Sequence, residues 1–198
     1  GVHAENAEAA EFGTQEMAGR QGATCSMHDE ARPWWVELEA IQRAVLFARA
    51  TDARLYICHM TIAEGAEFLK QERGRGTKVY VETCPHYLLF DKEIMNEKRS
   101  YAKCNPPIRS RENVEKLWDY VFDGTIDVLG SDHGPYSDEE KVKNGNFFLE
   151  YSGFGGFDAM LAGMITEGVH RRGLPLPRLA AITAGNTARI MGLAPVKG

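Results

Sequence analysis

Apolar positions along the chain change their period several times, and each change marks a new element. Residues 4–21 (AENAEAAEFGTQEMAGRQ) are rich in Ala and Glu and predict a helix despite Gly13 and Gly19. Beyond a break at Arg32-Pro33, Trp35, Leu38, Ile41, Val45, Leu46 and Ala48 fall near helical spacing. They predict an amphipathic helix over 34–50, with Trp34 and Trp35 packing for it. Arg54-Leu55-Tyr56-Ile57-Cys58 is a short β-prone run and reads as a buried strand. A helix over 62–73 follows, ending at Gly74 and Gly76, where glycine can supply a left-handed cap. Residues 77–83 alternate with period two, as a strand does. A loop with Pro106-Pro107 leads into a helix over 111–122, then Gly124 and a strand over 126–130. A charged loop over 134–152, expected to be mobile, precedes helices over 158–171 and 177–190.

Strands alternating with helices through short connections point to parallel βαβ units. No glycine-rich phosphate loop follows a strand, and Gly153-Phe154-Gly155-Gly156 lacks the G-x-G-x-x-G placement. The expected class is therefore α/β of the (β/α) barrel type, not a nucleotide-binding doubly wound sheet. At 198 residues, positions 1–198 are expected to form one domain. The 23 basic and 28 acidic residues give a net charge of −5, which leaves no electrostatic footprint for nucleic acid. No apolar run is long enough to predict a membrane span. Cys25, Cys58, Cys84 and Cys104 form no C-x-x-C pair and read as reduced thiols of a cytoplasmic protein. The opening Gly1-Val2-His3, without Met, reads as a cut or processed piece.

The candidate chemistry stands where strands end. Val2 leads into His3, Cys58 into His59, Val81 into Glu82-Thr83-Cys84, and Ser131 into Asp132-His133. In parallel α/β architectures those ends converge on one face, where ligands bind. Imidazole together with carboxylate suits a borderline ion such as Zn²⁺. Taken singly, His3 and His59 could be hydrogen-bonded structural residues, and Asp132 a helix N-cap. His28 and His170 are expected in solvent, and Cys58 and Cys84 in the core. A thiol nucleophile at Cys84 with His86 is conceivable on residue types, but nothing nearby would lower the thiol pKa.

Five motifs occur in order: Val2-His3-Ala4-Glu5-Asn6, Cys58-His59-Met60-Thr61, Glu82-Thr83-Cys84-Pro85-His86-Tyr87-Leu88, Lys103-Cys104-Asn105-Pro106-Pro107-Ile108-Arg109 and Gly130-Ser131-Asp132-His133-Gly134-Pro135. Together they resemble the cyclic amidohydrolases of the amidohydrolase superfamily, most closely the allantoinase group. The resemblance implies the second half of a (β/α)₈ TIM-type barrel, strands five to eight, lacking the first four strands and the small β-sandwich. It implies that His3 and His59 bind one ion of a two-metal pair. Asp132 would bind the other ion and act as general base. Asn105, and the Gly155-Gly156 segment, would contact the substrate. The family's H-x-H motif and bridging carboxylated lysine have no counterpart in this sequence. The divalent metal, zinc first among candidates, is thus expected to bind this chain weakly and to leave it poorly active.

The implied substrate is a small cyclic amide: allantoin, a hydantoin or a dihydropyrimidine, with dihydroorotate as the alternative. A rival of another class is a non-catalytic barrel scaffold whose metal site has decayed. Half a barrel exposes two sheet edges, so either a homo-oligomer or a place in a larger molecule is expected.

Overall fold

The computed structural model describes residues 1–143, 145–158 and 160–197. Helix α1 (Ala7–Gly19) starts at Asn6, whose side chain accepts the Ala9 N–H at 3.1 Å. A 3₁₀ turn at Cys25–Met27 runs into the short α2 (His28–Ala31), and α3 (Trp34–Thr51) follows Pro33. Strand β1 (Leu55–Ile57), α4 (Ala63–Gly74) and β2 (Val79–Thr83) form one βαβ unit. Two short helices, α5 (Pro85–Leu89) and α6 (Ile94–Lys98), and a 3₁₀ turn at Arg99–Ala102 precede α7 (Arg111–Asp123). Strand β3 (Val128–Leu129) leads to α8 (Asp138–Lys141) and a 3₁₀ turn at Phe147–Leu149. Helix α9 (Met160–Met164) continues as a π-helix over Ile165–Arg171. The last helical stretch comprises α10 (Leu176–Ala180), a π-helix over Ala181–Gly185 and α11 (Asn186–Ile190).

The sheet is parallel throughout, in the order β1-β2-β3. Leu55 pairs with Val79 and Ile57 with Val81, while Thr83 pairs with Leu129. Val2 bridges to Ile57 in parallel and extends the sheet beyond β1. Alternation in β2 buries Val79, Val81 and Thr83 while Tyr80 and Glu82 stay half-buried on the other face. Helix α7 buries Val114, Leu117, Trp118 and Val121, the three- and four-residue spacing of one helical face. Trp118 closes its polar account by donating from Nε1 to the Leu88 carbonyl at 3.0 Å. Each such fully buried apolar side chain contributes about 1.5–3 kcal/mol.

Several expectations need correction. In α3 the inward stripe is Val36, Ala40, Ile41, Val45 and Ala48. At 100° per residue that phase turns Trp35 and Leu46 away from the core, and Trp34 and Trp35 are 48% and 50% exposed. Helix α4 is closed by Arg75 at φ −87° and ψ 1°, and Gly76 rather than Gly74 takes the left-handed turn, at φ +93°. Of the strand expected over 126–130, Val128 and Leu129 form the strand proper, and the flanking Asp127 and Gly130 N–H groups donate to the Val81 (2.8 Å) and Thr83 (2.9 Å) carbonyls of β2. The segment 134–152 is not free. Lys141 is buried and its Nζ donates to the carbonyls of Ser100 (2.8 Å) and Gly153 (2.6 Å). Lys103 does the same from below, donating to the carbonyls of Phe148 (2.8 Å) and Glu150 (2.5 Å). Phe147 and Phe148 then enter the core.

Candidate active site

Because the strands run parallel, their C-terminal ends share one rim. Val2 is hydrogen-bonded between Tyr56 and Cys58, which brings His3 beside the end of β1. His3 Nδ1 lies 3.1 Å from His59 Nε2, with the rings edge-on and their centres 4.7 Å apart. His3 is about half exposed, whereas His59 is buried and its Nδ1 has no partner among the described residues. Burial and then the neighbouring His3 lower the basicity of His59, and the charge of Asp132 opposes them. His59 and Asp132 both hold a left-handed backbone, at φ +36° and +43°. Non-glycine residues persist in that region only where their surroundings hold them. Asp132 is exposed at the rim.

Behind His3 stands Glu5. Its carboxylate takes His3 Nε2 at 2.9 Å and two bonds from Arg32, at 2.9 and 2.6 Å. Burial alone would raise the Glu5 pKa, but the His3 and Arg32 bonds outweigh it and hold it at about 2. The His3 ring is therefore oriented by a fixed anion.

Asn105 lies in a neighbouring groove with His28, Arg32 and Lys103, apart from the two imidazoles. Gly155 and Gly156 line a cleft of about 530 Å³ with Ser131, His86 and Phe154. The backbone N–H groups of Gly156 and Phe157 both donate to His133 Nδ1 at 3.3 Å, which ties that segment to the residue after Asp132.

No family model matches the chain. Allantoinases from Salmonella newport and Salmonella enteritidis are 40% identical to it over 195 residues, covering 97% of this chain and 42% of theirs. Among solved structures, L-hydantoinase (dihydropyrimidinase) from Arthrobacter aurescens superposes with a TM-score of 0.90 at 31% identity. D-hydantoinase from Thermus sp. superposes with a TM-score of 0.93 at 28% identity. Each match covers 99% of this chain and 44% of the other. Over nearly its whole length the chain is similar to these cyclic amidohydrolases of the amidohydrolase superfamily. It spans about two-fifths of the length of the curated relatives it matches, and it carries part of their barrel.

Cyclic amidohydrolases generally use divalent metals, so the donor set can be tested for fit. Two imidazole nitrogens 3.1 Å apart, one of them on a buried ring, are suited to sharing one ion. Zinc sites take three or four protein ligands. Among the described residues no group of three or more His, Cys, Asp or Glu side chains is placed to hold a metal. His3 and His59 thus fit as two ligands of a set that the described residues do not complete.

The family motifs also contain residues whose roles the sequence reading missed. Arg109 of the K-C-N-P-P-I-R segment is buried and donates to Glu37 (3.0 Å), Asp29 (2.8 Å), the Arg32 carbonyl (2.6 Å) and Thr61 (2.9 Å). Thr61, two residues past His59, bonds Glu37 through both its N–H (2.7 Å) and its hydroxyl (2.5 Å). One guanidinium therefore clamps the Asn105 loop to the end of β1 and to α3.

His28 is only 1% exposed, contrary to expectation. Its Nε2 sits 2.9 Å from Asn105 Oδ1 and 3.2 Å from the Cys104 carbonyl. Both partners are acceptors, which assigns the proton to Nε2. Burial, with the charges of Lys103 and Arg32, lowers the His28 pKa to about 3. His170 is exposed as expected. Cys84 is buried and Cys58 only half-buried, a correction for the latter. Burial and the Glu82 charge raise the Cys84 thiol pKa well above normal, which removes it as a nucleophile.

Proposed function

We propose that this chain supplies the distal strand ends of an enzyme that hydrolyses small cyclic amides with a divalent metal. Allantoin is the first substrate to test, before hydantoins, dihydropyrimidines and dihydroorotate. The observation that carries the reading is the meeting of His3 and His59 at adjacent strand ends, at 3.1 Å. The 40% identity to allantoinases supports the choice of substrate.

In this reading His3 and His59 hold one ion, zinc first among those that N and O ligands suit, and Asp132 belongs to a second. The metal supplies Lewis acidity toward the ring carbonyl. Glu5 fixes the His3 ring, and burial keeps His59 neutral and available as a donor. Asp132 takes a proton from the attacking water and returns it to the leaving ring nitrogen. The Asn105 loop, clamped by Arg109 and His28, presents backbone groups to the ring amide, and Gly155 and Gly156 close over it. The remaining ligands would come from residues outside this sequence. Taken alone, the chain is expected to bind metal weakly and to turn over slowly or not at all. Self-association or a place in a larger molecule belongs to the same reading, and the four free cysteines fit the cytoplasm.

The test is a chimera of the Salmonella enteritidis allantoinase in which this chain replaces the 195 matching residues. The proposal expects allantoin ring opening by the chimera and its loss in H59A and D132N. A folded, metal-loaded chimera that opens dihydroorotate instead would overturn the substrate assignment. One that opens no cyclic amide would favour the scaffold.

A further inference from the structure

We infer that Glu82 is a positioning residue that holds His59 in its left-handed backbone and so sets the His3–His59 contact. Three strand ends converge on its carboxylate. Glu82 Oε2 accepts the hydroxyl of Tyr56 in β1 at 2.7 Å. Glu82 Oε1 accepts the backbone N–H of His59 at 3.0 Å. The Glu82 carbonyl takes the N–H of Met60 at 2.8 Å, so the residue after His59 is pinned to the same point of β2.

The third strand contributes by leaving room. A methyl group on Gly130, just past β3, would lie 2.5 Å from Glu82 Cδ, 2.6 Å from Oε2 and 2.9 Å from Oε1. The carboxylate therefore occupies the space that any side chain at 130 would need. With both oxygens committed and a strand backbone behind it, Glu82 has one position. From there it fixes the amide of a histidine whose φ of +36° needs such support. The Glu82 carboxylate accepts from the Tyr56 hydroxyl and the His59 backbone, not from an imidazole, so it acts through His59, as orienting partners of ligand residues do.

The relevance to hydrolysis rests on the proposed function, but the coupling does not, and the experiment reads the coupling alone. The ¹⁵N-labelled 198-residue chain would be followed at the His59 backbone amide by hydrogen exchange and at the His3 and His59 ring nitrogens by chemical shift. E82M, which fills the volume but cannot accept, is expected to speed His59 amide exchange about tenfold or more and to move both ring signals. E82Q keeps an accepting oxygen and is expected to recover most of the loss, which packing alone would not do. G130A is expected to reproduce the E82M signature by displacing the carboxylate, and it decides the matter if E82M does not fold. His59 exchange and ring shifts unchanged in a folded E82M, or in G130A, would overturn the inference. Since no turnover is measured, failure of the hydrolase reading and failure of this coupling give different results.

Discussion

Replacing Arg109 by Met should be among the most damaging single changes in this chain. Arg109 and Glu37 are both buried, 3.0 Å apart, and the same guanidinium satisfies Asp29, Thr61 and the Arg32 carbonyl. Removing the cation leaves a buried carboxylate that keeps, among the described residues, the Thr61 N–H and hydroxyl. Breaking one side of a buried ion pair costs about 3–5 kcal/mol. With a urea slope of about 2 kcal/mol per molar, the unfolding midpoint should fall by about 2 M.

The loss should depend on pH in a definite direction. Burial raises the Glu37 pKa, and the Arg109 charge is the largest influence against it. Without Arg109 the folded state favours protonated Glu37, so its penalty is present at high pH and shrinks as pH falls. The R109M deficit should therefore be smaller at pH 5 than at pH 8. The double variant E37M/R109M should recover much of the loss, since neither charge is then stranded. A midpoint shift below about 0.25 M for R109M, a size typical of surface changes, would refute the reasoning.

Three further outcomes follow from buried basic groups. His28 stays neutral in the fold to about pH 3. Below its unfolded pKa of about 6.5 the unfolded chain binds a proton that the folded chain does not, and stability falls by about 1.4 kcal/mol per pH unit. H28Q should lose less melting temperature than the parent between pH 7 and pH 5, and an equal loss would count against the assignment. Burial lowers the Lys103 pKa to about 8. Stability should therefore rise between pH 8 and about 10.5, where the unfolded lysine still holds its proton. In K103M that rise should be smaller in urea midpoints, the remainder belonging to Lys141, whose pKa burial also lowers, and an undiminished rise would count against the assignment. K141M should release the 134–153 segment and speed its limited proteolysis, because four carbonyls of Ser100, Lys103, Tyr151 and Gly153 converge on that ammonium. Unaltered cleavage would show that the segment is held by other contacts.

How much of this was legible beforehand depended on whether a residue leaves a periodic trace. The period-two run over 77–83 and the helix expected over 111–122 were legible, and the structure puts β2 at Val79–Thr83 and α7 at Arg111–Asp123. His3, His59 and Asp132 were visible as polar residues ending apolar runs, and the parallel sheet brings the first two into contact. Nothing local announces that Arg109 meets Glu37, because the partners lie 72 residues apart and each reads as a surface charge. The same holds for Lys103 and Lys141, whose ammonium groups are buried by carbonyls of a segment that looks mobile in composition. His28 escaped for a related reason: a lone histidine between two short helical turns carries no periodicity. The phase error at Trp34 and Trp35 arose because two aromatic residues outweighed the stripe of smaller residues that sets the inward face of α3.

His3 and His59 act as one ligand pair in the proposed function. Zn²⁺ titrated into the ¹⁵N-histidine-labelled chain tests this directly. His3 Nδ1 and His59 Nε2 should shift together with one binding curve, and H3A should abolish the shift at His59. A Zn²⁺ response at one ring without the other, or a His59 shift that survives in H3A, would contradict it.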